Sequence, residues 1–152
     1  MHLFATKNSN AVKLIKDFLI EDRDLDRDSI ASMLEEFLDR GAEKCQFLLL
    51  IDEEEVVGFS FSYIPCLRDH LYIYQVYLDK RTAKTRWPQY LFSKIQAFAE
   101  RQDLSEIRME TRRSSEAFTR RWGFTPLSTI MSYDLTEEEE EASSESEDES
   151  WH

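Results

Sequence analysis

Between positions 80 and 88 the chain reads Lys-Arg-Thr-Ala-Lys-Thr-Arg-Trp-Pro. Arg81, Lys84 and Arg86 set three cations close together just ahead of a helix start. Pro88 fits the first turn of that helix, where a missing N–H costs nothing. Cations at a helix mouth suit phosphate, because Lys and Arg make charge-assisted hydrogen bonds to its oxygens and the helix N-terminus adds free N–H groups. The charge of the chain is divided to match. Residues 80–121 hold 11 bases and 5 acids, residues 1–79 hold 16 acids and 8 bases, and residues 137–150 hold nine acids and no base. The net charge of −12 is therefore no uniform coat. Two readings stand side by side: solvated helix faces, or a basic segment that docks a phosphate-rich ligand.

Other residues could move or position protons. Glu110 is a carboxylate in the strand-like run EIRMET. Gln75, in HLYIYQVYL, can orient an amide or a water but cannot act as a base at neutral pH. Tyr72, Tyr74 and Tyr77 of the same run read as strand packing. Several chemistries are excluded. Two cysteines and three scattered histidines form no metal-ligand spacing. There is no G-x-S-x-G elbow and no Walker loop. Without its acidic tail the chain carries 22 acids against 19 bases, which argues against nucleic acid as a partner. No apolar run approaches the roughly 20 residues that span a bilayer, and no secretory signal is expected from the first residues. Cys45 and Cys66 are expected as reduced, buried thiols of a cytoplasmic protein.

The elements that must hold these groups follow from hydrophobic period. With 152 residues, 41% of them hydrophobic, the chain suits one domain with a proper core. Residues 2–6 read as a short strand. Ala11, Leu14, Ile15 and Phe18 suggest a helix over 10–21, capped by Ser9 or Asn10. Ile30, Met33, Leu34, Phe37 and Leu38 mark a helix over 29–40, with Asp28 as its N-cap and Gly41 as its stop. The period then changes: strands are predicted over 45–51 and 56–64 as a hairpin about an acidic turn at 52–55, and a third over 70–78. A helix over 87–102, a strand over 106–111, a helix over 114–122 and a last strand over 128–135 complete the order. That order is (β)-α-α-β-β-β-α-β-α-β, an α/β chain of the mixed α+β kind. It implies a mixed, mostly antiparallel central sheet with helices on both faces.

This order, with its local text, resembles the GNAT superfamily of acetyl-CoA-dependent N-acetyltransferases. The third strand exits as V-Y-L-D-K-R, similar to the superfamily pattern V-x-P-x-x-R, with Val76, Leu78 in place of proline, and Arg81. The run SSEAFTRRWGFTPL resembles the family's final helix and its closing Gly-Phe, here Gly123 and Phe124. STIMSYDL resembles the last strand. The match is best over 45–135 and nearest to divergent members of phage and environmental genomes.

The resemblance implies an acyl-CoA and an amine acceptor, with no metal. Main-chain N–H groups near Val76, Tyr77 and Leu78 would polarise the thioester carbonyl. In active members the loop after the third strand is R-x-x-G-x-G/A and wraps the pyrophosphate of CoA. Here it runs Arg81-Thr82-Ala83-Lys84-Thr85-Arg86, without glycine and about two residues longer. Arg81, Thr82, Lys84 and Arg86 are then the cofactor-binding candidates. Gln75 and Tyr74 lie where the family splays its sheet to admit substrate, and one of the two should face that cleft by alternation. Glu110 is the candidate base. Thr119 falls where many members carry the tyrosine that protonates the departing thiolate. Threonine is a much poorer acid, and the plainer reading makes Thr119 and Phe118 ordinary helix residues. A catalytically inactive GNAT-like interaction protein, viral and accessory, is the alternative. Residues 1–135 form the expected domain. The Glu/Ser tail, 136–152, cannot bury enough apolar surface to fold; docking to a basic protein partner, or folding back on the 80–121 segment, are its sharper readings.

Overall fold

The computed structural model describes residues 1–22, 24–67, 69–110 and 116–127, together with 133 and 135. A five-stranded mixed sheet runs in chain order: β1 (His2–Thr6), β2 (Cys45–Asp52), β3 (Glu55–Tyr63), β4 (Leu71–Leu78) and β5 (Ile107–Met109). The first four pair antiparallel, and β5 lies parallel to β4. The parallel pair requires a crossover, which α2 (Trp87–Arg101) supplies. α1 (Arg27–Gly41) precedes β2, and α3 (Glu116–Trp122) follows β5.

Strand alternation divides the core in two. On one face Phe47, Leu49, Phe59 and Phe61 meet Ile30, Leu34 and Leu38 of α1 with Val12, Ile15 and Leu19 before it. On the other, Leu48, Leu71 and Ile73 meet Leu91, Phe92, Ile95 and Phe98 of α2 and Trp122 of α3. Trp122 lies flat on Phe92 at 4.8 Å and, with Phe118, packs α3 against the α2-side core. The expected architecture, a mixed sheet with helices on both faces, is the architecture found.

Three local expectations are corrected. The helix over 10–21 is two 3-10 turns, Ser9–Leu14 and Lys16–Phe18. Val12 and Ile15, three apart, are fully buried, whereas Leu14 is 55% exposed. A spacing of three suits three residues per turn. Asn8 starts the first turn by accepting the N–H of Asn10 at 2.9 Å. The N-cap of α1 is Asp26, not Asp28: its Oδ1 accepts the N–H of Ser29 at 2.8 Å. That bond holds the Asp26 carboxyl below the usual carboxylate range. Asp28 sits in the first turn and pairs with Lys16. Cys45 is buried as expected, but Cys66 is exposed beyond the end of β3. The expected last strand falls outside the described residues except for 133 and 135, and the acidic tail falls outside them entirely.

None of the described helices is long and apolar enough to cross a membrane. Among the described residues no three His, Cys, Asp or Glu side chains are grouped to hold a metal ion.

Candidate functional site

β4 and β5 pair over three residues only. Leu71, Tyr72 and Ile73 lie opposite Ile107, Arg108 and Met109. β4 then continues through residues 74–78, and among the described residues no strand pairs with it on that side. Among the described residues, this edge of β4 is therefore open beyond Ile73.

A bulge sits at the vertex of this opening. Phe61 lies opposite Gln75 and Ser62 opposite Ile73, so Tyr74 is an extra residue in β4. A bulge bends its strand, adds twist and interrupts pairing. It also breaks alternation. Ile73 and Val76 belong to the α2-side core, Tyr74 packs on the α1-side core, and Gln75 reaches the main chain of Ile20 on that same side. Tyr74 and Gln75 thus share a face, where alternation alone puts one of them there. The Gln75 amide is held firmly: the Ile20 N–H donates to its Oε1 at 2.9 Å, and its Nε2 donates to the Ile20 carbonyl at 2.8 Å.

Register assigns the main-chain groups of β4. The Asp79 N–H donates to the Val57 carbonyl at 2.8 Å. Antiparallel pairing alternates, so Tyr77, opposite Phe59, also turns its N–H and C=O toward β3. Val76 and Leu78, opposite Ser60 and Gly58, turn theirs toward the opening. Of the three candidates Val76, Tyr77 and Leu78, two therefore present backbone donors there. The Tyr77 ring stacks on Phe18 at 4.6 Å, and its hydroxyl donates to Asp79 at 3.3 Å.

The basic loop folds on its own hydroxyls. Lys80–Thr82 is a 3-10 turn capped by Asp79, whose Oδ1 accepts the Arg81 N–H at 3.0 Å. This lowers the Asp79 carboxyl below its ordinary range. Thr82, fully buried, donates its hydroxyl to the Asp79 carbonyl at 2.7 Å; Thr85 donates to the Thr82 carbonyl at 2.7 Å and accepts the Trp87 N–H at 3.2 Å. The Arg81 guanidinium is already matched, to Glu55 at 3.2 Å and Asp79 at 3.4 Å. Lys84 and Arg86 remain exposed, Arg86 over the Trp87 ring at 5.6 Å. The N–H groups of Lys84, Arg86 and Gln89 have no acceptor among the described residues. Counted from Arg81, Lys84 and Arg86 stand where the R-x-x-G-x-G/A pattern has its glycines. Neither needs a left-handed backbone: Arg86 has φ −80°, and neither is among the positive-φ residues. The loop lacks only the room that glycine leaves.

Glu110 follows directly on the last paired residue of β5. It is exposed, and its charge helps to raise the pKa of the Tyr72 phenol after burial. Tyr63, Tyr72 and Tyr74 surround this point, with Asp22 beside Tyr74. Burial first, and the neighbouring carboxylates next, push the pKa of all three phenols up. Thr119 is exposed on α3, while Phe118 and Trp122 of that helix reach the α2 core. This corner of tyrosines and carboxylates is what sequence reasoning missed. One signal was available: Leu71, Ile73, Val76 and Leu78 are spaced two, three and two, and the step of three marks the bulge.

No protein-family model matches the sequence, and a search of curated proteins finds no match. Solved structures do match. The aminoglycoside 6′-N-acetyltransferase AAC(6′)-IG from Acinetobacter haemolyticus aligns at a TM-score of 0.69 and 13% identity, over 88% of this chain and 97% of that one. AAC(6′)-Iy, solved with the bisubstrate analogue CoA-S-monomethyl-acetylneamine, aligns at 0.66 and 13% identity, over 88% and 96%. A possible acetyltransferase from Clostridium difficile 630 aligns at 0.63 and 15% identity, over 88% and 97%. At such identities the likeness is one of fold, and the chain has the GNAT-like fold.

Proposed function

We propose that the protein is an acyl-CoA-dependent N-acetyltransferase acting on an amine. One observation carries this reading: the opening beside β4 has Val76 and Leu78 main-chain groups turned into it and a cationic loop with spare N–H groups immediately downstream. A thioester laid along β4 would meet donors aimed at its carbonyl oxygen, where negative charge grows during attack. The pyrophosphate would meet the Lys84, Arg86 and Gln89 N–H groups at the start of α2, with the Lys84 and Arg86 side chains adding charge-assisted contacts. Arg81 serves the loop rather than the ligand, since two carboxylates already hold it. AAC(6′)-Iy was solved with a CoA-linked analogue, which supports the same use of the fold here.

In the reaction the neutral amine nitrogen bonds to the thioester carbonyl carbon and the C–S bond breaks. The nitrogen's proton passes to the Glu110 carboxylate, directly or through one water, and CoA departs as thiolate. Thr119 is the candidate to relay a proton to that sulfur. Gln75 is a positioning residue: it fixes the main chain of residue 20 beside the opening.

A non-catalytic GNAT-like interaction protein is the second reading. The side chains standing in the glycine positions of the loop favour it, because a Cβ limits how closely phosphate can approach a backbone N–H. Titration with acetyl-CoA, followed by an assay of free thiol released in the presence of amines, separates the two. Binding with thiol release supports transfer. No binding at millimolar acetyl-CoA ends it.

A further inference from the structure

One flank of α2 carries cations and rings together. At about 100° per residue, Arg86, Trp87, Tyr90, Lys94, Phe98 and Arg101 fall within about a third of a turn of one another. Glu100, the one acid of the helix, falls outside that arc. Each cation stands over a ring: Arg86 over Trp87 at 5.6 Å, Lys94 over Tyr90 at 5.4 Å and Arg101 over Phe98 at 5.9 Å. Such a contact holds the charge in place without neutralising it. Among the described residues no carboxylate lies within ion-pair distance of any of the three. Arg40, Arg81 and Arg108, by contrast, are each paired to a carboxylate. Arg86, Tyr90, Lys94 and Arg101 are exposed. α3 leaves them open, because its Trp122 stacks on Phe92, on the opposite side of α2. The result is a stripe about 22 Å long, from position 86 to position 101.

We propose that this stripe docks the chain's own acidic segment, residues 137–150, with Lys94 and Arg101 as the anchoring cations. Charge complementarity selects this occupant. The segment holds nine acids and no base, whereas residues 80–121 hold 11 bases against 5 acids. Residues 1–79, with 16 acids against 8 bases, repel it. The segment is also long enough. At about 3.3 Å per residue it extends up to about 46 Å beyond Leu135 by position 149, and a folded domain of some 135 residues has a radius of gyration of only about 14 Å. About seven extended residues cover the stripe. The tether makes docking an intramolecular event at an effective concentration of about millimolar, so contacts too weak to hold a free acidic peptide suffice here. Lys94 and Arg101 lie beyond the loop proposed for phosphate, so this docking is independent of acyl transfer.

The test uses the full chain. A nitroxide is attached at Ser146→Cys, with Cys66→Ser removing the exposed thiol, and its broadening of main-chain amide signals is read by NMR. At about 0.02 M salt the Tyr90, Lys94 and Arg101 amides are expected to lose about half their intensity or more, and those of α1 to keep theirs. At about 0.5 M salt, where the Debye length shrinks to about 4 Å, the loss should disappear. Lys94→Ala with Arg101→Ala should abolish it. Replacing Glu137, Glu138, Glu139, Glu140 and Glu141 by Gln should do the same while leaving every residue of α2 in place. No loss at low salt, equal loss over α1 and α2, or a loss that either variant leaves unchanged overturns the proposal. So does a loss centred on Lys84 and Arg86, which would put the acids in the loop instead. A mixture of nitroxide-labelled chain with isotope-labelled chain lacking the nitroxide should show no broadening. Broadening there assigns the docking to a second copy and overturns the proposal.

Discussion

The side-chain amide of Gln75 and the main chain of Ile20 exchange two hydrogen bonds, at 2.9 and 2.8 Å, across 55 positions of sequence. This pair ties the segment ahead of α1 to the bulged part of β4. It fixes where Asp22 lies relative to Tyr74. Gln75→Ala removes both bonds and is expected to lower stability by about 1–2 kcal/mol. If transfer occurs, the KM for the amine should rise more than kcat falls, because the segment is released without loss of a reacting group. Urea denaturation and steady-state kinetics check the two parts. A large kcat effect with normal KM would place Gln75 in the chemistry itself.

Gly58 sits opposite Leu78, and a Cβ there would lie 3.0 Å from the Tyr77 carbonyl oxygen and 3.1 Å from Leu78 Cδ2. The first of these atoms is backbone and cannot swing aside. Gly58→Ala is therefore expected to push β4 outward and cost about 1–3 kcal/mol. Thermal melting measures the cost. The displacement should also weaken acetyl-CoA binding through Val76 and Leu78.

The β2–β3 turn places Glu53 at φ 49° and Glu54 at φ 71°, two adjacent acids in left-handed backbone. Two-residue hairpin turns of this form favour Asn-Gly. Replacing Glu53→Asn together with Glu54→Gly should raise stability by about 1–2 kcal/mol, without altering acetyl-CoA binding. Chemical denaturation tests it.

Burial pushes the Cys45 thiol up from an ordinary 9.0 to about 11, and the Tyr72 phenol is raised as well. Both groups favour the neutral form in the folded state. Their contribution is complete below pH 9, begins to fall as the unfolded thiol ionises near 9, and for Cys45 is lost by about 11. Unfolding free energy should hence decline on the alkaline side from pH 9, and Cys45→Ala should flatten the first part of that decline. Alkylation of the native protein should modify Cys66 and spare Cys45.

Much of the frame was legible because it rests on period. The stripe of Ile30, Leu34 and Leu38, the hairpin of alternating aromatics in β3, and Leu91, Ile95 and Phe98 of α2 all pack as their spacing implies. Where long-range partners decide, the sequence fell short. Nothing local to Gln75 shows that its amide is held by the main chain of Ile20. Nor does local sequence show that the Arg81 guanidinium pairs with Glu55, 26 positions away. The bulge at Tyr74 was missed because alternation was assumed through a strand whose apolar spacing breaks. The role of Thr119 was inferred from position alone, and α3 holds it exposed. The N-terminal helix failed for a local reason: its buried residues recur every three positions.

The central claim is that a loop without glycine still holds CoA through the N–H groups and side chains of Lys84 and Arg86. Calorimetric titration of acetyl-CoA into the wild-type chain and into a Lys84→Ala/Arg86→Ala double variant tests it most directly. The account predicts measurable binding by the wild type, weakened by about tenfold or more in the variant and with a shallower salt dependence, at an unchanged melting temperature. Absence of binding by the wild type at millimolar acetyl-CoA, or equal binding by the variant, would contradict it.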